Sequence, residues 1–482
     1  MPALRGWALV AGLLMLAVPR PASAQADTAL ARRILSAELR RDSTAPALAE
    51  GAGHHDPRVR ALALRARERI VDPHFSRRDS LPGAELPPPP EWPEPEWKSR
   101  YRALMAQRDD CQALTTAATA DPVWPVRLRV AALARASCAG HGPLVATFRA
   151  WATSLPADAS HRARDGVSWQ GGAQGLVALA RLRPAEASDL IAAHRLHPQW
   201  QVRQYAARAA ALASDTAALR ALARDPDDNV KEAAIEGLAR LTGHADDSLF
   251  VAALGSEGAQ AVLAAAVALG GSAYSGARKA ALAAFARFVT HATASERDVR
   301  LALLEAAGRP PTDDQPPAPD HTLPRDAVAL ALGATSHLCV TMASASGGGG
   351  QFVVRLRGDV APLMAARILD LVRAGHYDGL TWHRVEHDFV IQGGSPGANE
   401  YVGLDRYLVD ELGTLPHRRG TVGMSTRGHD TGDAQWFVNL RDNLRLGRDY
   451  TVFAEVVEGI EVVDAVMEGD VIESIVIRPS PP

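Results

Sequence analysis

Two hydrophobic rhythms divide this chain. From about Asp27 to Gly308, apolar residues recur at i, i+3, i+4 and i+7, which places them on one face of a helix. From about Ala327 to the end, short runs alternate apolar and polar positions, the pattern of half-buried strands. In the first region VRALALRARERI, VRLRVAALARA and VRQYAARAAALA each predict an amphipathic helix. Several of these helices are announced alike: Asp56-Pro57 leads to Val59-Arg60, Asp121-Pro122 to Val126-Arg127, His197-Pro198 to Val202-Arg203, and Asp225-Pro226 to Val230-Lys231. Each start is a turn or cap residue, a proline, then Val and a base. An Asp before a helix can accept from its free N–H groups, and proline at the start leaves no N–H unpaired.

The recurrence resembles HEAT-type repeats, in which helical pairs stack into a solenoid. Its spacing is loose, and a generic helical bundle would accommodate the same short helices. Leu86–Trp97, LPPPPEWPEPEW, interrupts the array and reads as an extended internal spacer or as a ligand for a proline-reading domain. A second break, GRPPTDDQPPAPDHTLP at Gly308–Pro324, marks a change in composition. The expected division is a helical region over 25–310, a linker over 311–325 and a second domain over 326–482 that folds alone.

In that second domain, strands are predicted at Leu338–Ser344 and Gln351–Arg357, joined through Gly347–Gly350. No Lys-Ser/Thr follows these glycines, so they do not form a phosphate cradle. Pro362–Ala374 reads as a helix stopped by Gly375. Further strands are expected near Thr381–Val385, Phe389–Gln392, Thr421–Ser425, Gln435–Asn439 and Thr451–Val457, then a helix at Ile460–Met467 and a strand at Val471–Ile477.

The chain has 482 residues, enough for two or three domains. A net charge of −3 gives no electrostatic case for a nucleic-acid partner. At the N-terminus, Arg5 precedes the 12-residue apolar run Trp7–Val18, and Ala22-Ser23-Ala24 has the form of a cleavage site. The run is short for a bilayer crossing. The expectation is a signal peptide over 1–24 and an exported product, periplasmic or secreted, with no membrane span after its removal; an uncleaved anchor is the alternative. Export permits disulfides. Cys111 and Cys138 lie in consecutive predicted helical segments and could face each other, or all three cysteines could be separate buried thiols; Cys339, within LCVTM, reads as core.

Two segments carry the chemistry: WHRVEHDFVIQGG, Trp382–Gly394, and RGTVGMSTRGHDTGDAQWFVN, Arg419–Asn439. Together they resemble the signature of the cyclophilins, prolyl isomerases built on a closed β-barrel with two flanking helices. The resemblance implies a cyclophilin-like barrel from about residue 326, isomerisation of X-Pro bonds without a cofactor, and a catalytic group comprising Arg384, Phe389 and Gln392. It implies that Phe389, Met424, Phe437 and Leu446 hold the proline ring, and that Gln392 and Gln435 bind the peptide backbone and position Arg384. Val390, Ser425, Thr426 and Tyr450 complete the implied substrate contacts. Arg445 stands where many cyclophilins carry Trp, Thr426 where asparagine is common, and Trp436 where phenylalanine is usual.

The chemistry asked of Arg384 follows from the amide. Resonance holds the peptide bond planar behind a barrier of ~18–20 kcal/mol. At the twisted transition state the proline nitrogen turns pyramidal and gains a lone pair, and a guanidinium aimed there stabilises that state over the ground state. His383-Arg384-Val385-Glu386-His387 also matches the H-x-x-E-H pattern of some zinc peptidases, but that motif needs a helix and this segment reads as strand; no metal site is expected. His194 and His197 read as surface residues. The reading is a multidomain protein: an all-α HEAT-like solenoid, binding clients or a protein partner, followed by an isomerase of proline-containing polypeptides. The alternative is a non-catalytic scaffold that grips a proline loop.

Overall fold

The computed structural model describes residues 22–74, 87–155, 168–290, 294–314, 321–343, 349–404 and 406–478. The expected leader lies almost wholly outside them, as does much of the Gly347–Gly350 loop. Helices come first: α1 Ala22–Leu39, α2 Pro46–Ala52, α3 Pro57–Val71, α4 Trp97–Ala106, α5 Cys111–Ala120, α6 Trp124–Leu133, α7 Gly142–Thr153 and α8 Trp169–Leu182. They continue with α9 Pro184–His194, α10 Trp200–Leu212, α11 Thr216–Leu222, α12 Asp228–Thr242, α13 Asp247–Ala253, α14 Ala259–Ala268, α15 Ala277–Thr290 and α16 Arg297–Ala306. From α6 onward, alternate helices pack side by side in sequence, α6 on α8, α8 on α10, α10 on α12, α12 on α14 and α14 on α16.

The recurring Asp-Pro and His-Pro starts are built alike. Asp56, Asp121 and Asp225 each accept the N–H two residues on, from Arg58, Val123 and Asp227, at 2.8, 2.9 and 2.9 Å. At the fourth start the His197 imidazole takes the carboxylate's place and accepts from the Gln199 N–H at 3.1 Å. The valine of each start is buried (Val59, Val126, Val202 and Val230), and in three of the four the base after it reaches back to the turn. Arg60 donates to His54 and His55 carbonyls, Arg127 to that of Asp121, and Arg203 to those of His197 and Pro198. The motif therefore anchors each helix start through its apolar residue and, in three of the four, closes the preceding turn through its base.

Cys111 and Cys138 are joined by a disulfide, with Cα atoms 5.5 Å apart. It links the start of α5 to the turn before α7. For a sequence separation of 27, the chain-entropy relation gives about 3.5 kcal/mol. Cys339 is a buried thiol.

The C-terminal region adds α17 Ala327–Ala331, β1 His337–Met342, β2 Gly350–Leu356, α18 Pro362–Arg373, β3 Trp382–Val385, β4 Val390–Gly393, β5 Thr421–Met424, β6 Trp436–Asn439, β7 Val452–Glu458, α19 Ile460–Ala465 and β8 Ile472–Arg478. The strands form one sheet in the order β3-β4-β6-β5-β7-β2-β1-β8. The expected closed barrel is a curled sheet whose edges meet at a single seam. There Thr381 bridges Val471, and the Ile472 and Trp382 N–H groups donate to Leu380 and Asp470 carbonyls at 2.8 and 2.9 Å. Past Trp382 the register of β3 shifts as it follows β4, so the closure is a short seam.

The packing bears on two expectations. The first concerns α1–α3, which were assigned to the helical region. Their Ile34, Leu35, Val59 and Leu62 lie in one continuous core with Leu356, Leu363 and Met364 of the sheet region, whereas α4–α16 enclose a core of their own. Arg69 of α3 is buried. It pairs with Glu38 at 3.0 Å and donates to Val360, Glu411 and Leu412 carbonyls at 2.7, 2.8 and 2.9 Å. A division at residue 310 therefore does not follow the cores.

The second concerns the proline-rich run, expected as an extended internal spacer, which lies against the sheet as a strap. Trp92 Nε1 donates to the Val456 carbonyl at 3.2 Å, and the carbonyls of Pro87 and Pro93 accept from Arg355 and Arg419. Extended proline-rich backbone makes no internal hydrogen bonds, so its carbonyls are free for such donors.

Candidate active site

Strand register builds the site in one row. Arg384 of β3 lies opposite Gln392 of β4, Gln392 opposite Phe437 of β6, and Phe437 opposite Gly423 of β5. Residues directly opposite share a face of a sheet. The adjacent row of Ile391, Val438 and Val422 points into the sheet's core, so the Arg384 row faces outward. Gly423 is essential to that surface. A Cβ there would lie 2.4 Å from Phe437 Cζ, so the ring rests on bare backbone.

On this outer face Val390, Phe437 and Leu446 form a small apolar cluster, with Phe389 and Tyr450 packed at its edge. Above it is a cavity of about 270 Å³ with Arg384, Gln392, Ser425 and Thr426 on its rim. Arg384 Nη1 donates to Gln392 Oε1 at 3.4 Å and to Glu400 Oε1 at 3.1 Å. Its guanidinium lies 6.0 Å from the Phe389 ring centre, and that of Arg445 lies 5.0 Å from the same ring. Gln392 Nε2 donates to Ser425 Oγ at 2.9 Å and Gln435 Oε1 at 3.3 Å. Gln435 Nε2 in turn donates to the carbonyls of Glu400 and Val402, both at 3.2 Å. Behind the pocket, His417 stacks on Phe437 with centroids 5.7 Å apart. Burial lowers its pKa, against the opposing pull of the Tyr450 carbonyl beside its ring.

An apolar slot sized for a small ring, with a cation and amide groups at its rim, suits a neutral peptide whose charge distribution changes during reaction. Comparison with known proteins names that reaction. Residues 339–480 match the family described as cyclophilin type peptidyl-prolyl cis-trans isomerase/CLD. A peptidyl-prolyl cis-trans isomerase of Helicobacter pylori is 36% identical over 124 residues, covering 25% of this chain and 76% of the relative. The chain belongs to the cyclophilin-type peptidyl-prolyl cis-trans isomerases. Peptidyl-prolyl cis-trans isomerase B of Escherichia coli is 35% identical over 128 residues, covering 24% of this chain and 78% of the relative. A solved cyclophilin-type isomerase of Cryptosporidium parvum aligns at a TM-score of 0.29 with 23% identity, over 31% of this chain and all of that one.

Within the cyclophilin domain the structure brings together Arg384, Phe389, Val390, Gln392, Ser425, Thr426, Phe437, Leu446 and Tyr450 around one cavity. Two residues of the expected set stand elsewhere. Met424 is fully buried on the opposite face, beside Met364 and Gly432 in the main core. It precedes Ser425 by one position, and one step along a strand turns a side chain to the other face. Gln435 is buried below the rim and touches Gln392, so it can position that amide but does not line the cavity.

Three lining residues had no assigned role in the sequence reading: Glu400, Arg427 and Arg445. Only Arg445 carried a signal, as a cation in a position usually aromatic. Glu400 lies in an irregular loop that no periodicity marks. Part of that loop rests on the helical stack: Asn229 at the start of α12 donates to the Gly397 carbonyl at 3.0 Å and accepts from Asn399 at 2.9 Å. Arg427 ties the same loop to the stack, donating to the carbonyls of Tyr401 and Ser295 at 2.7 and 2.6 Å and pairing with Asp298 at 3.1 Å.

The histidines of the H-x-x-E-H pattern diverge. His383 lies on β3, whereas His387 follows the strand and packs edge-on against Trp97 and Tyr101 of α4. Among the described residues neither joins a third ligand; the one convergent group is Asp27, His54 and His55. Burial lowers both pKa values to about 4. His194, read as a surface residue, is buried.

Proposed function

We propose that Arg384 is the catalytic group of the cyclophilin domain, and that the cavity over Phe437 receives the proline ring. The observation that carries this reading is the placement of the Arg384 guanidinium at the rim of an apolar slot, beside the Gln392 amide. With the ring seated on Phe437, Val390 and Leu446, the preceding carbonyl rotates while the proline stays fixed. No covalent bond is made or broken. As the proline nitrogen turns pyramidal, an Arg384 N–H donates to its growing lone pair, and Gln392, itself held by Gln435, fixes the backbone alongside.

The helical stack reads as a HEAT-like array that gathers client polypeptides or a protein partner and raises their concentration near the site. The leader-like N-terminus and the Cys111–Cys138 pair support an exported, oxidising location, periplasmic or secreted, so the clients would be exported proteins. The test is cis/trans exchange of an X-Pro tetrapeptide by the full chain. Arg384→Ala should lower kcat/KM at least about a hundredfold, or ~2.7 kcal/mol of transition-state stabilisation. A folded variant with wild-type turnover would remove Arg384 from the mechanism. A wild type that binds the peptide without speeding exchange would favour a proline-gripping scaffold.

A further inference from the structure

A second cavity, of about 400 Å³, lies between the helical stack and β3. Arg384 lines both this cavity and the proline pocket, so the two are adjacent. Its helical wall is basic. Arg129 of α6, Arg181 of α8 and Arg208 of α10 line it. Arg181 donates to the Ala131 and Ala134 carbonyls at 3.0 and 3.2 Å, and Arg208 lies close enough to Glu468 and Glu232 to act on both electrostatically. Arg129 and Arg208 are held over aromatic rings, Tyr101 at 4.9 Å and Tyr205 at 4.7 Å. That arrangement fixes a guanidinium while leaving its N–H groups available.

Two carboxylates share the lining, Glu386 and Glu468. Glu468 already accepts from Tyr205 Oη at 2.6 Å. Arg384 also lines the cavity but is paired with Glu400 at 3.1 Å, so three arginines of the stack stand against these two acids. A wall of guanidinium groups suits a ligand rich in acceptors, above all carboxylates.

We propose that this cavity is a subsite for the side-chain carboxylates of a client polypeptide, and that the protein isomerises X-Pro bonds flanked by acidic residues in preference to neutral ones. The proposal rests on the isomerase reading and adds a substrate class to it. A polypeptide is favoured over a small anion because the cavity adjoins the proline pocket through Arg384. The subsite belongs to the helical stack as much as to the sheet, which gives the stack a direct part in substrate choice.

The test uses the full chain and two pairs of X-Pro peptides, with three glutamates before or after the dipeptide and glutamine counterparts. One acidic peptide should show at least about fivefold higher kcat/KM than its glutamine twin, with the advantage shrinking as salt rises. In Arg129→Gln/Arg208→Gln the ratio should fall to near one. Equal, measurable rates for each pair in the wild type would overturn the proposal, whatever the variant does, as would an advantage that survives in a folded variant. Calorimetric binding of the same peptides decides the point independently: wild-type protein that exchanges neither peptide but binds the acidic one more tightly keeps the subsite and sinks the isomerase reading. Inhibition of neutral-peptide turnover by millimolar succinate, with no acidic-peptide advantage, would assign the cavity to small dicarboxylates instead.

Discussion

Arg384 Nη1 lies 3.1 Å from Glu400 Oε1, and the loop that carries Glu400 is tied to the helical stack through Asn229 and Arg427. The shortest bond to the guanidinium at the proline pocket therefore comes from a loop the stack holds. Both side chains are about half exposed, at 40 and 50%, so the pair adds little to stability. Its role is to hold a flexible side chain in place. Glu400→Gln should leave the melting temperature unchanged and lower kcat by up to about tenfold with little change in KM. Steady-state kinetics on a short X-Pro peptide would show this; a change confined to KM would place Glu400 in substrate binding instead.

Gly423 should be intolerant of the smallest addition. An alanine Cβ would fall 2.4 Å from Phe437 Cζ, and the ring beneath the proline would have to move. Overpacking of this kind costs about 1–3 kcal/mol. Gly423→Ala should fold with a lower melting temperature, and its kcat/KM should drop more than the stability loss accounts for at a temperature where the protein stays folded. Full activity would mean that the Phe437 ring is not the floor of the working pocket.

The shared core predicts the fate of a fragment. The sequence boundary suggested that residues from about 326 onward fold alone. In the structure Ile34, Leu35, Val59 and Leu62 belong to one continuous core with the sheet region, and each buried side chain of this type contributes about 1.5–3 kcal/mol. Removing α1–α3 also strips the buried Glu411 of its partner Arg69. The summed loss rivals the 5–15 kcal/mol by which domains are stable. A 326–482 fragment should therefore be unfolded or melt far below the full chain, as near-ultraviolet circular dichroism would reveal. A sharp melt near the full-length value would show that the sheet region does not need these helices.

Acid should destabilise the fold through His387. Its pKa falls from 6.5 to about 4 because burial disfavours the imidazolium, with Lys98 nearby adding to the effect. Between those values the unfolded chain takes up a proton that the folded chain refuses. The group's contribution is fully present above pH 6.5 and is lost as pH falls toward 4, amounting to about 3 kcal/mol. His383 acts in the same direction. Urea unfolding at pH 7 and pH 4.5 should show the loss, and His387→Phe should reduce it. An unchanged pH dependence in that variant would place the acid sensitivity elsewhere.

What the sequence determined by itself was local and periodic. Short apolar runs between turn residues placed the strands within a residue or two, although β4, β5 and β6 are buried on both faces. The Asp-Pro starts were legible because their hydrogen bonds run within a few residues. Arg384, Phe389, Gln392 and Phe437 were legible because a family motif keeps them at fixed spacings along adjoining strands. The tertiary structure decided everything that depends on which surfaces meet. An amphipathic helix declares an apolar face but not its partner, so α1–α3 could be assigned to the sheet's core only once packed. Met424 and Ser425 are neighbours in the chain, and only the register shows which one faces the pocket. Glu400, Arg427 and the basic wall of Arg129, Arg181 and Arg208 stand in loops or on separate helices with no common spacing. They converge on Arg384 because the stack lies against the sheet, and no pattern along the chain encodes that contact.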